Sequence, residues 1–205
     1  MKITLKDYER IYKTINAILL NEEADPTVAC TFFSFYGAHI LRTHYKIDAH
    51  PLAGLCMYHM GGENNIFTFG KIVDDKLISD VDAFHSWVVG DGWLFDFMAP
   101  AFSDIPNEKG FKIQSKMIQK PLSEMASSVS ELKSEGDFYF ETSPEVLQNR
   151  VEYLSSSLAY SDLAEICKQW FKKPPKKMQK IIQIGDSKGN LRPVSLVGNP
   201  VVGAW

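Results

Sequence analysis

Between residues 5 and 21 the apolar side chains Tyr8, Ile11, Tyr12, Ile15, Ile18 and Leu19 recur every three or four positions, the period of an amphipathic helix with one buried stripe. The polar stretch NEEADP interrupts the pattern, and Asp25 followed by Pro26 reads as an N-cap and first helical residue. The helix predicted from there runs to about Tyr45. It carries Phe32, Phe33, Phe35 and Tyr36 nearly all round its first half, so it is expected to be buried. Periodicity then changes. Residues 51 to 60 (PLAGLCMYHM) and 65 to 73 (NIFTFGKIV) read as strands about a Gly61-Gly62 turn, and a polar turn follows at 74 to 82.

The next segment, FHSWVVGDGWLFDF at positions 84 to 97, reads as a hairpin about Gly90-Asp91-Gly92. From Met98 to Pro121 the pattern is weak and predicts a long covering loop. Helices are expected at about 123 to 134 and 144 to 158. The second has a T-x-x-E signal at Thr142 and Glu145 and a stripe of Leu147, Val151, Leu154 and Leu158. A further helix at 161 to 171, a Pro174-Pro175 break and a last hairpin in MQKIIQIGDSKGNLRPVSLVG complete the chain. Helices, consecutive strands, then helices again is α+β order, here a single domain over residues 1 to 205.

Composition narrows the functional classes. The 205 residues are 45% hydrophobic and 23% charged, as in a folded globular chain. A net charge of −3 gives no general attraction to nucleic acid or anionic membrane. No apolar run approaches the ~20 residues that span a bilayer, and charges interrupt MKITLKDYERIYK too early for a signal peptide. The expectation is a cytoplasmic protein with reduced thiols. Cys30, Cys56 and Cys167, odd in number and widely spaced, form neither a disulfide framework nor a zinc knuckle. The lysine run KKPPKKMQK at 172 to 180 has no interleaved aromatics and reads as a solvated, Pro-kinked linker rather than a nucleic-acid contact. The apolar ending VGNPVVGAW is expected to dock on the body or on another subunit, which leaves a homo-oligomer open.

The hairpin holds the first candidate chemistry. With Gly90-Asp91 central in the turn, His85 lies directly across from Asp96; with Asp91-Gly92 central, the two are diagonal neighbours on one face. A loop of all three turn residues would put them on opposite faces. An aspartate beside a histidine fixes its tautomer and stabilises the protonated ring. The same pair also reads as a satisfied polar contact in a core.

Three cysteines compete as nucleophile. Cys167 shares a helix stripe with Leu163, Ile166 and Trp170, and Cys56 lies mid-strand, so both read as packed hydrophobes. Cys30 lies near the start of a helix, where the positive dipole end favours a thiolate, although a helix capped by Asp25 would bury it beyond the first turn. A metal site from His39, His44, His50, His59 and a cysteine is disfavoured, because His39 and His44 are five apart and share no helix face.

The order of Cys30, then His85-Ser86-Trp87, then Trp93-Leu94-Phe95-Asp96 resembles the transglutaminase-like branch of the papain-like cysteine-enzyme superfamily. Within it the chain is similar to a bacterial family without an assigned substrate. The resemblance covers roughly residues 25 to 100 and leaves 101 to 205 as a C-terminal extension. It implies a nucleophile helix packed on an antiparallel sheet, with Cys30 as nucleophile, His85 as general base and then acid, and Asp96 as orienting residue. A small-molecule or peptide acyl substrate follows, with no metal or organic cofactor required. Trp87 and Trp93 are the expected substrate-pocket residues. Ala24 stands six residues before Cys30, where papain-like peptidases often carry a glutamine as oxyanion donor, and VACTFFSFYG replaces the usual peptidase signature. Reaction on an amide, peptide or thioester bond, by hydrolysis or acyl transfer, is the expected activity. The rival is a catalytically silent binding module on the same fold, with an unreactive Cys30.

Overall fold

The computed structural model describes residues 1–63, 65–106, 112–173 and 177–205. It is α+β, a curled antiparallel sheet with helices packed against it. Helix α1 (Leu5–Asn21) forms as its stripe predicts, with Thr4 Oγ1 accepting from the Asp7 amide as N-cap. Its apolar face packs on helix α2 (Cys30–Ile40), where the Tyr12 and Phe33 rings stack at 5.9 Å. A wider turn, Leu41–Tyr45, prolongs α2 until Lys46 takes a left-handed conformation at φ 59°.

The central strand is β1 (Ala49–His59), followed by β2 (Ile66–Phe69) and a small hairpin of β3 (Lys71–Val73) and β4 (Lys76–Ile78). That hairpin occupies the expected polar turn. Asp74 and Asp75 both adopt positive φ, which supplies a tight two-residue connection. Next come β5 (His85–Gly90), β6 (Trp93–Asp96) and β7 (Ile118–Pro121). The main sheet runs β2-β1-β5-β6-β7, and β8 (Phe138–Thr142) also pairs with β1.

Two expectations are corrected here. The segment 98 to 121 is not loop throughout: residues 99–104 form a 3₁₀ turn, and β7 adds to the sheet beside β6. The expected helix at 123 to 134 is absent, replaced by two short 3₁₀ turns ahead of β8. Met125, Val129 and Leu132 mimic helical spacing, but only Leu132 is buried, so the segment has no continuous apolar face to pack.

Helices α3 (Pro144–Ser155) and α4 (Leu158–Trp170) follow. Ser143, rather than Thr142, caps α3, with Pro144 in its first turn. The stripe read for this helix is not its core face: Val146 is its buried residue, and Leu158 is 85% exposed. Helix α4 packs on α2, with the Tyr36 hydroxyl donating to the Tyr160 carbonyl at 3.0 Å, and buries Cys167 as expected. The final hairpin forms from β9 (Ile181–Gly185) and β10 (Leu191–Ser195). The Pro174-Pro175 break and part of the lysine run lie outside the described residues.

The apolar ending docks on its own chain. Ala204 bridges Met117, the Trp205 amide donates to the Met117 carbonyl at 3.0 Å, and Lys116 Nζ sits 4.5 Å above the Trp205 ring. Among the described residues no helix is long and apolar enough to cross a membrane.

Candidate active site

The local sequence before Cys30 sets where its helix begins. Asp25 Oδ1 accepts from both the amide and the hydroxyl of Thr27, each at 2.8 Å, and Pro26 enters a 3₁₀ turn over Pro26–Val28. Ala29, at φ −98° and ψ 27°, then breaks the helical path, so α2 starts at Cys30. The expectation of a helix opened at Asp25-Pro26 is therefore corrected, in a direction that matters. Cys30 is the first helical residue, and no side chain caps that end. The Phe32 and Phe33 amides donate to the Ala29 carbonyl at 3.0 and 3.2 Å, while the amides of Cys30 and Thr31 precede the first intrahelical hydrogen bond. Positive dipole character is greatest there.

The hairpin that carries His85 and Asp96 closes with Asp91 and Gly92 at φ 50° and 78°, the signature of a type I′ turn. Its register pairs Val88 with Phe95 and Gly90 with Trp93. Of the readings left open by the sequence, this is the one that makes His85 and Asp96 diagonal neighbours on one face. Their side chains meet: His85 Nε2 lies 2.7 Å from Asp96 Oδ2, and both residues are buried.

Asp96 is held from several sides. Oδ2 also accepts from the Tyr58 hydroxyl at 2.8 Å, and Oδ1 accepts from the Met98 amide at 3.1 Å. The Tyr8 hydroxyl donates to the Asp96 backbone carbonyl. Burial first, and then the charge of Asp96, push the Tyr8 and Tyr58 phenols well above their ordinary range, so both remain protonated donors. A buried carboxylate with this many donors is a satisfied anion rather than a stray one.

The imidazole is equally constrained. The Phe69 ring stacks on it at 4.1 Å, and Phe102 meets it edge-on at 5.7 Å. Burial alone would draw its pKa down, but the charge and hydrogen bond of Asp96, followed by Cys30, raise it to about 10. Cys30 therefore stands close beside the ring. Nδ1, the nitrogen turned away from Asp96, is buried without a hydrogen-bond partner. The arrangement leaves one imidazole nitrogen bound to a carboxylate and the other free for a thiol proton.

The structure thus brings Cys30, His85 and Asp96 together and separates the two tryptophans. Trp87 lies under the histidine, its ring 6.4 Å from the imidazole and 4.7 Å from Phe140, fully buried as core. Trp93 shares a sheet face with Val88 and Phe95, opposite to Asp96, because side chains alternate along a strand. Its partner Gly90 lies five residues along β5 from His85, roughly 16 Å at strand rise. Trp93 therefore does not line a common pocket with the imidazole. Cys56 is fully buried, and desolvation pushes its thiol well above the ordinary range. The other histidines are engaged separately: His44 Nε2 with the Lys168 carbonyl, His59 Nδ1 with the Gly61 amide, His39 with Glu165 and His50 with Asp48.

Tyr58, Tyr8 and Phe69 are the site residues that sequence reasoning missed. Tyr58 sits in a correctly read strand, and Phe69 in another. Their contact with His85 and Asp96 depends on β1 pairing with both β2 and β5, a nonlocal register that no local pattern encodes.

A family model described as "Protein of unknown function (DUF2026)" matches residues 4–205. No curated protein matches the chain. A solved crystal structure, of a protein described only as "genomics APC5867", is 38% identical; the match covers 100% of this chain and 98% of that one, with a TM-score of 0.91.

Proposed function

The chain belongs to the DUF2026 family, and from the site geometry we propose that it is a thiol-dependent hydrolase or acyl transferase working through Cys30, His85 and Asp96. The observation that carries this reading is the His85 ring, bound through Nε2 to Asp96 at 2.7 Å, with its free Nδ1 and the adjacent Cys30 at the first position of α2. The arrangement supports, as proposal, the likeness to papain-like and transglutaminase-like enzymes.

In the proposed reaction His85 holds the proton that Cys30 gives up, and the thiolate attacks the carbonyl carbon of an amide, peptide or thioester. The C–S bond forms as the carbonyl π pair moves to oxygen. The leading amides of α2, that of Cys30 among them, are the donors for this oxyanion. When the C–N or C–S bond to the leaving group breaks, its electron pair takes the proton from His85, and a thioester remains on Cys30. Water then gives hydrolysis, while an amine gives transfer. Asp96 keeps the imidazole oriented and stabilises its charged form. Neither Trp93 nor an open tryptophan pocket has a part in this scheme.

A direct test uses small acyl thioesters and intact-mass spectrometry. The reading predicts a transient acyl adduct localised to Cys30, absent in Cys30→Ser and slowed by about 10²-fold or more in His85→Ala. The near-complete burial of Cys30, 7% exposed, favours a second reading, a silent binding module. No adduct with any acyl donor, and identical behaviour of wild type and both variants, would select that one.

A further inference from the structure

Ser34 and Ser86 are two buried hydroxyls that the proposed chemistry leaves unused. Ser34 lies one turn beyond Cys30 on the same face of α2. Ser86 follows His85 on β5, with its side chain on the opposite face of the strand. Their oxygens stand 2.6 Å apart. Ser34 Oγ is also 2.9 Å from the Thr31 carbonyl, and Ser86 Oγ is 2.8 Å from the carbonyl of Leu52 on β1.

Two hydroxyls hold two protons, and the carbonyls only accept. An oxygen–oxygen contact of 2.6 Å requires one of those protons between the serines. Ser34 then donates to Ser86, which donates to Leu52, or Ser86 donates to Ser34, which donates to Thr31. Either direction leaves a hydrogen bond between the helix of Cys30 and the strand of His85. An apolar pair of the same shape would be nearly as stable, because the net worth of such a bond is small. What the hydroxyls add is direction. The oxygens meet at one depth and one rotation of α2 on β5, whereas apolar contacts tolerate sliding.

The geometry points to Ser34 and Ser86 as positioning residues: their bond sets the depth and rotation of α2 on β5, and through the backbone of both elements it holds Cys30 within reach of His85. This rests on the thiol reading given under Proposed function. Cys30 is about 6 Å from Ser34 along the helix axis, and His85 is about 3.3 Å from Ser86 along the strand. Regular, hydrogen-bonded backbone over such short spans passes a slip of α2 on to Cys30. A misplacement of about 1 Å at reacting groups can cost about 10²-fold in rate.

The test is the pH profile of iodoacetamide labelling at Cys30 in wild type, Ser34→Ala, Ser86→Ala and the double variant, with the melting temperature of each. Phe33→Leu is the control, since it trims the packing of the same helix on Tyr12 of α1 and keeps both hydroxyls. Each alanine variant should lose about tenfold or more of the neutral-pH rate, with labelling that rises only in the ordinary thiol range. The double variant should lose no more than either single one, because the hydroxyls act as one unit. Phe33→Leu should lower the melting temperature without moving the profile. Ser86→Thr keeps a hydroxyl on a residue suited to a strand and should keep the wild-type profile; it carries the test if an alanine variant does not fold.

Rapid labelling of wild-type Cys30 with an unchanged profile in the alanine variants would overturn the positioning role and leave the thiol reading intact. So would losses that add in the double variant, the same change in Phe33→Leu, or an ordinary-thiol profile in folded Ser86→Thr. Slow labelling of wild-type Cys30 would overturn both.

Discussion

At the residue scale, His85 and Asp96 form one buried unit, and the two cannot be altered independently. His85 is raised to about 10 in the folded chain from the 6.5 of an unperturbed imidazole. A group raised on folding contributes stability that is fully present below its unfolded pKa and is lost as pH rises through the folded one. We therefore expect unfolding free energy to decline between about pH 6.5 and 10 in wild type, and this component to vanish in Asp96→Asn. Equilibrium urea unfolding across that range measures it; an unchanged slope in Asp96→Asn would mean that the aspartate does not hold the imidazole charged. Removing one partner of the buried pair should also cost about 3 kcal/mol at neutral pH. Tyr58→Phe deletes a single hydroxyl that donates to Asp96 Oδ2. It should destabilise the fold by roughly 1.5–3 kcal/mol, and a loss of under about 0.5 kcal/mol would show that Tyr58 is not part of the carboxylate's support. The His-Asp pair itself was legible in the sequence because two residues on one short hairpin have few registers to choose from. Tyr58 was not, since its partner lies in a different strand pair.

At the scale of elements, the site depends on β1 passing very close to its neighbours. Gly54 pairs with His85 on β5 and with Thr142 on β8, and a Cβ there would meet the Glu141 carbonyl oxygen at 2.0 Å and the Ser143 amide at 2.9 Å. Both atoms belong to the backbone at the end of β8 and cannot move aside as a flexible side chain would. Gly54→Ala should cost about 3 kcal/mol and loosen the start of β5, visible as faster amide exchange at His85 and Ser86. Near-wild-type stability would contradict the close approach. Elements with a full apolar stripe, α1 above all, were legible from periodicity. So was the central hairpin, from its turn chemistry. Those that failed had misleading local cues. Met125, Val129 and Leu132 imitate a helix, and the aromatic strand β8 exists because β1 offers it an edge. Asp25-Pro26 is a true helix-start signal spent on a 3₁₀ turn, and that displacement leaves Cys30 at the head of α2.

For the whole molecule, the chain ends seal the sheet near the site. The Ile3 amide and carbonyl pair with the Gln119 side chain on β7, and the last residues run beside Met117. Deleting residues 201–205 should remove about 2 kcal/mol of packing, mostly that of Trp205, and lower Tm by roughly 4–8 °C. Exchange at Met117 and Ile118 should quicken, and an unchanged melting curve would show the docked tail to be energetically idle. That the ending would dock was legible from its apolar composition; that it would dock beside β7 was not, because that surface exists only once β7 has joined the sheet. The central claim is that the fold assembles a reactive thiol from these distant segments. Its most direct measurement is the pH dependence of iodoacetamide labelling, site by site, in wild type and His85→Ala. The account predicts that Cys30 labels rapidly at neutral pH, that the buried Cys56 and Cys167 stay protected, and that His85→Ala abolishes the rapid labelling of Cys30. Slow labelling of Cys30 that rises only in the ordinary thiol range, and identically in both proteins, would contradict it.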